Sequence, residues 1–145
     1  MNEFTNLKAQ EYAEQGNIEA WIHDYLQNEG NNVPLSDGLK LRKRYWLGPL
    51  EVKLTSLKRI VGPEPHNEYV ESEENWNRRI EAIALRLQQG WDMPPLIIEN
   101  QGGVPSVRDG NHRMGALEKL DRKSCPVLIW DDAGVEHIRI GDVEE

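Results

Sequence analysis

A chain of 145 residues with 38% hydrophobic residues has the length of one ordinary domain and enough apolar content to close a core. Its net charge of −8 argues against whole-surface binding to nucleic acid, which depends on neutralising phosphates. A single cysteine, Cys125, rules out an internal disulfide; the four histidines, His23, His66, His112 and His137, lack zinc-site spacing; and no apolar run nears the roughly 20 residues of a membrane helix.

In chain order, a first helix is expected from about Thr5 to Gln15, with Phe4, Leu7 and Tyr12 as its apolar edge. Asn17 then caps a second helix in which Ile18, Trp21, Ile22, Tyr25 and Leu26 recur at helical spacing and must be buried. Gly30-Asn31-Asn32 ends it, and Pro34, Asp37 and Gly38 read as a continuing loop. Lys40, Arg42, Lys43 and Arg44, followed by Tyr45 and Trp46, form a basic and aromatic patch. Such a patch either binds single strands or is a solvated turn whose rings plug into the core. A strand opens at Leu50, and Gly62-Pro63-Glu64-Pro65 marks a loop.

Beyond the acidic residues Glu68, Glu71, Glu73 and Glu74, the residues Trp76, Ile80, Ile83, Ala84 and Leu87 define an amphipathic helix ending near Gly90. Pro94 to Ile98 and Cys125 to Trp130 read as buried strands, with Cys125 structural. Between them, Val107 to Leu117 reads as a strand that turns at Gly110 into a helix, so that strand, strand, helix and strand follow in order. Asp131-Asp132-Ala133-Gly134 is either a hairpin loop or a Mg²⁺ site at a sheet edge, and a last strand runs from Val135 to Ile140. Trp46 and Trp76 are the tryptophans placed to wall a base.

The turn at Gly110 carries the chemistry. A helix start has unpaired N–H groups and a dipole that favours negative charge, so His112 and Arg113 are unfavourable there unless an anion joins them. With Arg108 just before, the array suits a phosphate or carboxylate held by amides, guanidinium and imidazole. Asp109 is either the helix cap or a ligand for Mg²⁺ or an acceptor hydroxyl.

From about Leu50 to Trp130 the chain resembles the ParB/sulfiredoxin superfamily. The match rests on Leu50 to Arg59, the helix from Asn75 to Gly90, Met93-Pro94-Pro95-Leu96-Ile97-Ile98, and Asp109-Gly110-Asn111-His112-Arg113. The resemblance implies an α+β fold, a small mixed sheet flanked by helices, over residues 49–145. A helical extension over residues 1–48 packs on it. It also implies nucleotide phosphate binding by Gly110, His112 and Arg113, with Arg79 pointing toward the nucleotide. Asn111 stands where sulfiredoxins carry their catalytic cysteine, which argues against sulfinic-acid reduction. The wording is nearest to the Asp-Gly-x-His-Arg variant of free-serine kinases and related small proteins. There the aspartate sits beside the transferred phosphate, and an upstream glutamate is catalytic. Glu64, Glu68 and Glu71 are all in order for that glutamate, and the sequence does not separate them.

The expectation is thus a cytoplasmic nucleotide-binding protein using Arg108, Gly110, Asn111, His112, Arg113 and Arg79. Asp109 and His112 are its catalytic candidates for phosphoryl transfer or NTP hydrolysis, with Mg²⁺ at Asp109 accompanying ATP, ADP or CTP. Two other classes stay open. One is a ParB-like DNA-processing or nuclease protein; the other is a non-catalytic nucleotide sensor that recruits a protein partner through its N-terminal helices.

Overall fold

The computed structural model describes residues 4–139. Thr5, whose hydroxyl accepts from the Lys8 amide, starts helix α1 (Asn6–Glu14). Helix α2 (Ile18–Gln27) buries Trp21, Ile22, Tyr25 and Leu26, as its stripe requires. Asn17 stands at its N-cap without making the side-chain bond.

Residues 33–39, expected as loop, are helix α3 (Val33–Leu39). The reason lies in its start. Asn32 accepts from the Leu35 amide and Pro34 sits in the first turn, where its missing N–H costs nothing. Those two signals outweigh Gly38 near the end of so short a helix.

Four strands form the main sheet in the order β1 (Tyr45–Lys53), β6 (Ser124–Asp131), β4 (Leu96–Gln101), β5 (Val104–Asp109). β6 lies parallel to β4, and the two outer pairs are antiparallel, so the sheet is mixed. β1 begins at Tyr45, five residues before the expected strand. Its first part thus belongs to the stretch read as extension, and Trp46 packs on its cross-strand partner Trp130. The loop around Gly62-Pro63-Glu64-Pro65 joins two short parallel strands, β2 (Val61–Gly62) and β3 (Tyr69–Val70).

Alternation along the central strands sends side chains to two helical layers. Leu96, Ile98, Val127 and Ile129 join the core built with helices α4 (Glu73–Gln88) and α5 (Asn111–Lys119). Ile97, Leu128 and Trp130 join Trp21, Ile22, Tyr25 and Leu26 on the other face. Burial of one such aliphatic side chain contributes about 1.5–3 kcal/mol, enough for either layer to be held by packing rather than by helix propensity.

Ser72 caps α4 by accepting from the Asn75 amide. Gly115 lets α4 and α5 approach: a Cβ there would lie 2.4 Å from Trp76 Cζ2. After β6 the expected strand is absent as far as Arg139. Val135–His137 is a 3-10 turn instead, and Ile140 lies outside the described residues. Asp131 explains the turn, because its carboxylate accepts from the Ala133 and Gly134 amides at 2.8 and 3.0 Å and from Asn100 at 2.9 Å. Its oxygens serve the loop, as in an Asx turn, rather than an open cation site. No helix is long and apolar enough to cross a membrane among the described residues.

Candidate functional site

β5 ends at Asp109, and Gly110 turns the chain with φ 105°, a left-handed conformation that glycine adopts without strain. A Cβ at Gly110 would also press on Leu96 at 2.5 Å, so the position is closed to side chains twice over. No side chain caps α5, which leaves its first amides to the turn.

From that turn successive side chains go opposite ways. Asn111 is buried and closes the turn: its Oδ1 accepts from the Ile60 and Val61 amides at 2.8 and 3.2 Å, and its Nδ2 donates to the Val107 carbonyl at 3.0 Å. Arg113 is also buried, with 6% of its surface exposed. It donates to the carbonyls of Pro94 and Pro95 and, at 3.0 Å, to Asp109 Oδ2, and its guanidinium lies 5.5 Å from the centre of the Tyr25 ring. The expected contact between Arg113 and a phosphate does not match this position. The cation is already neutralised by Asp109 and enclosed by the N-terminal layer.

Asp109 is likewise engaged on both oxygens, since Oδ1 accepts from Asn32 Nδ2 at 3.0 Å. It is neither the cap of α5 nor open to Mg²⁺. Among the described residues, no group of three or more acidic, histidine or cysteine side chains is arranged to hold a metal ion. The Mg²⁺ site expected at Asp109 therefore lacks a donor set.

His112 faces the other way. Its Nε2 lies 2.7 Å from Glu71 Oε2, and its ring packs against Trp76 with centroids 4.9 Å apart. Glu71 also takes Asn75 Nδ2 and, at 3.4 Å, Arg79 Nη1. Burial alone would raise the Glu71 carboxyl; the hydrogen bond and charge of His112, with Arg79 and Asn75, hold it below the ordinary carboxylate value. Burial lowers the His112 imidazole below its ordinary 6.5, helped by the charges of Arg79 and Arg59 and opposed by the bond to Glu71. Near pH 7 the pair is a carboxylate and a neutral imidazole. The hydrogen sits on Nε2, which leaves Nδ1 a proton acceptor.

Two arginines, Arg79 and Arg59, act on this pair, and a third, Arg108, is held elsewhere. Arg79 is 53% exposed on its side chain and makes the single long contact to Glu71. Arg59 lies over the Trp76 ring, 4.8 Å from its centre, and binds Glu64, Glu118 and the Val61 carbonyl. That bond from Arg59 is the main reason the Glu64 carboxyl is lowered to about 2. Arg108 donates to Glu68 and Gln101, and its Nε lies 3.0 Å from Glu99 as an ion pair without hydrogen-bond geometry.

The structure thus separates the three glutamates: Glu64 belongs to Arg59, Glu68 to Arg108, and Glu71 to His112. It brings Arg79, Glu71 and His112 together and turns Asn111, Arg113 and Asp109 inward. Trp76 has Arg59 over its ring, His112 tilted against it with centroids 4.9 Å apart, and Gly115 close to Cζ2, so it supports the site rather than walling a base. In the basic patch, Arg44 and Arg42 pair with Asp132 at 2.6 and 3.6 Å, and Lys43 lies over the Tyr45 ring. No protein-family model, no curated protein and no solved structure matches the chain.

Proposed function

We propose that the chain binds a nucleotide through its phosphates at the uncapped start of α5, and that His112 with Glu71 moves a proton in phosphoryl transfer or NTP hydrolysis. The observation that carries this reading is the 2.7 Å contact between Glu71 and His112, beside amides that no side chain caps. Free amides and a helix dipole favour an anion, and Arg79 is the cation with contacts to spare. The neutral imidazole, oriented by Glu71, accepts the proton of an attacking hydroxyl or water at Nδ1. Such reactions depend mainly on positioning and on charge that stabilises the phosphoryl group.

The superfamily resemblance supports the same reading, and so does the run of strand, strand, helix and strand that presents the turn. Glu71 is the upstream glutamate that this reading needs, and Asp109 passes from catalysis to holding Arg113. Mg²⁺ belongs to this proposal as an ion carried on the phosphates, because such ions keep several waters and take few protein ligands.

Calorimetry with a panel of nucleotides, alongside phosphate release, tests the reading. Wild-type protein should bind and turn over at least one nucleotide. Arg79→Ala should weaken binding about tenfold, as expected for one charge-assisted contact. Unchanged affinity in Arg79→Ala and unchanged turnover in His112→Ala would remove the site.

A further inference from the structure

Strand β3 runs along the rim of the site and is pinned there at both ends. Glu68, just before it, is tied to Arg108 at the end of β5, and Glu71, just after it, to His112 at the start of α5. Between these anchors Tyr69 and Val70 are 60% and 61% exposed. Other large apolar side chains on the described surface, such as Leu41, Leu85 and Val104, stand out singly, which is ordinary. Only Tyr69 and Val70 are exposed as neighbours in the chain.

The backbone is open at the same place. The amides of Tyr69 and Glu71 donate to the Ile60 and Gly62 carbonyls, each at 2.9 Å, and so face β2, the one neighbour of β3 in its two-stranded sheet. Alternation along a strand turns the N–H and C=O of Val70 the other way, to an edge that carries no further strand among the described residues. An extended peptide laid on that edge takes up those two groups and packs its side chains against Tyr69 and Val70.

Charge narrows the class of peptide. Glu73 and Glu74 follow directly in the first turn of α4, both exposed and neither in an ion pair among the described residues. With phosphates at the start of α5, an acceptor that comes to this rim meets negative charge on both sides, which favours a basic segment and repels an acidic one. Adjacent strands lie about 4.8 Å apart. A peptide residue opposite Glu71 therefore stands beside the carboxylate that orients His112.

We propose that the acceptor is a serine or threonine hydroxyl in an extended basic segment of another protein, docked along β3. The hydroxyl oxygen attacks the γ-phosphorus of the bound triphosphate, and its proton passes to His112 Nδ1. The bond from the γ-phosphorus to the bridging oxygen breaks, so that a phosphoester and a nucleoside diphosphate result. Tyr69 and Val70 meet apolar side chains on one flank of the hydroxyl residue, and Glu73 and Glu74 meet lysine or arginine on the other. These four residues hold the acceptor and touch no reacting atom. The inference rests on the nucleotide-binding reading above and adds to it the class of acceptor.

Transfer from γ-labelled ATP, GTP, CTP and UTP with Mg²⁺ to short serine and threonine peptides, varied in charge around the hydroxyl, tests it. Wild-type protein should label peptides with lysine or arginine beside the hydroxyl at a kcat/KM about tenfold or more above their acidic counterparts, the scale of one charge-assisted contact. Glu73→Gln/Glu74→Gln, at two exposed positions, should raise KM for the basic peptides about tenfold and leave hydrolysis of the nucleotide alone unchanged. Val70→Pro should act in the same way, because it removes an outward N–H from an edge strand, where proline is tolerated; its melting temperature checks that it folds, and the glutamate pair carries the test if it does not. Labelling that is indifferent to peptide charge, or that Glu73→Gln/Glu74→Gln leaves unchanged, overturns the inference, as does a folded Val70→Pro that labels peptides as well as wild type. If a nucleotide is turned over and no peptide is labelled, the nucleotide site stands and the peptide acceptor falls. If no triphosphate is bound or turned over, both readings fall.

Discussion

The two sides of the turn at Gly110 are made of similar residues and do opposite work. On the inner side, Asn111, Arg113 and Asp109 make their hydrogen bonds to the chain itself, tying β5 and α5 to Ile60, to Pro94 and to Asn32 of the N-terminal layer. On the outer side, His112, Glu71 and Arg79 hold one another at the rim, half-buried or exposed, with an acceptor nitrogen and guanidinium hydrogens left over. Residue type does not distinguish them. What does is whether each polar atom already has a partner, and that count can be made only in three dimensions.

This contrast implies a ranking of stability losses, and the largest belongs to the inner side. Arg113→Ala would leave the Asp109 carboxylate without its cation and the Pro94 carbonyl without a donor in a buried place. Removing one partner of a buried pair typically costs about 3–5 kcal/mol, because the other charge stays behind. Urea unfolding measures it, and a loss below about 1 kcal/mol would move Arg113 to the open side of the turn.

Asn111→Leu should come next. It keeps the volume but strands the Ile60 and Val61 amides and the Val107 carbonyl, for a cost of about 2–3 kcal/mol. If the variant is as stable as wild type, the loop before β2 is not anchored through this side chain.

His112→Ala should reverse the pattern. Its ring is part-exposed and its one bond is to a rim carboxylate, so stability should fall by about 1 kcal/mol or less. Turnover should fall by about 10²–10⁴, the usual contribution of a general base. A variant that loses stability on the scale of Arg113→Ala while keeping its turnover would erase the distinction between the two sides.

Much of this architecture is legible in the sequence where local rules act alone. The stripe from Ile18 to Leu26, the amphipathic helix marked by Trp76, Ile80, Ile83, Ala84 and Leu87, and the strand that turns at Gly110 follow from periodicity and turn chemistry. Where two local signals compete, the reading fails, as at Asn32 and Pro34, which start α3 against the pull of Asp37 and Gly38 toward a loop. At Val135 an alternating pattern suggests a strand, but the carboxylate of Asp131 winds the preceding loop into a turn that the pattern does not register. The site was half legible. Asp109 and Arg113 stand four residues apart, the spacing of an ion pair at a helix start, and that spacing was the available signal that Arg113 is spoken for. Nothing local marks Glu71 as the partner of His112, since 41 residues separate them and the pair forms only when the segment between β3 and α4, whose Glu71 amide donates to the Gly62 carbonyl, folds against α5.

The smallest effect, and the finest probe of the outer side, is the response to pH. The folded-state imidazole of His112 lies below its ordinary 6.5, chiefly because it is buried, so the unfolded chain binds protons more readily in the window beneath 6.5. The stability that His112 contributes is complete above that value and is lost as pH falls toward its folded value. His23 is lowered as well, by burial and then by Lys40, and adds a slope of the same sign. Glu64, held at about 2 by Arg59, stays charged throughout and adds none. Wild-type protein should therefore lose stability between pH 7 and 5.5, and His112→Gln should flatten the part of that slope that His23 does not carry. Glu71→Gln should act in the opposite sense. The bond from Glu71 is what raises the imidazole against burial, so its removal lowers the His112 value further and extends the loss to lower pH. An NMR titration of the histidine ring protons in wild type and Glu71→Gln reads both numbers directly. If His112 titrates at the same pH in the two proteins, the contact with Glu71 does not orient the imidazole, and the outer side of the turn loses the pair on which its chemistry depends.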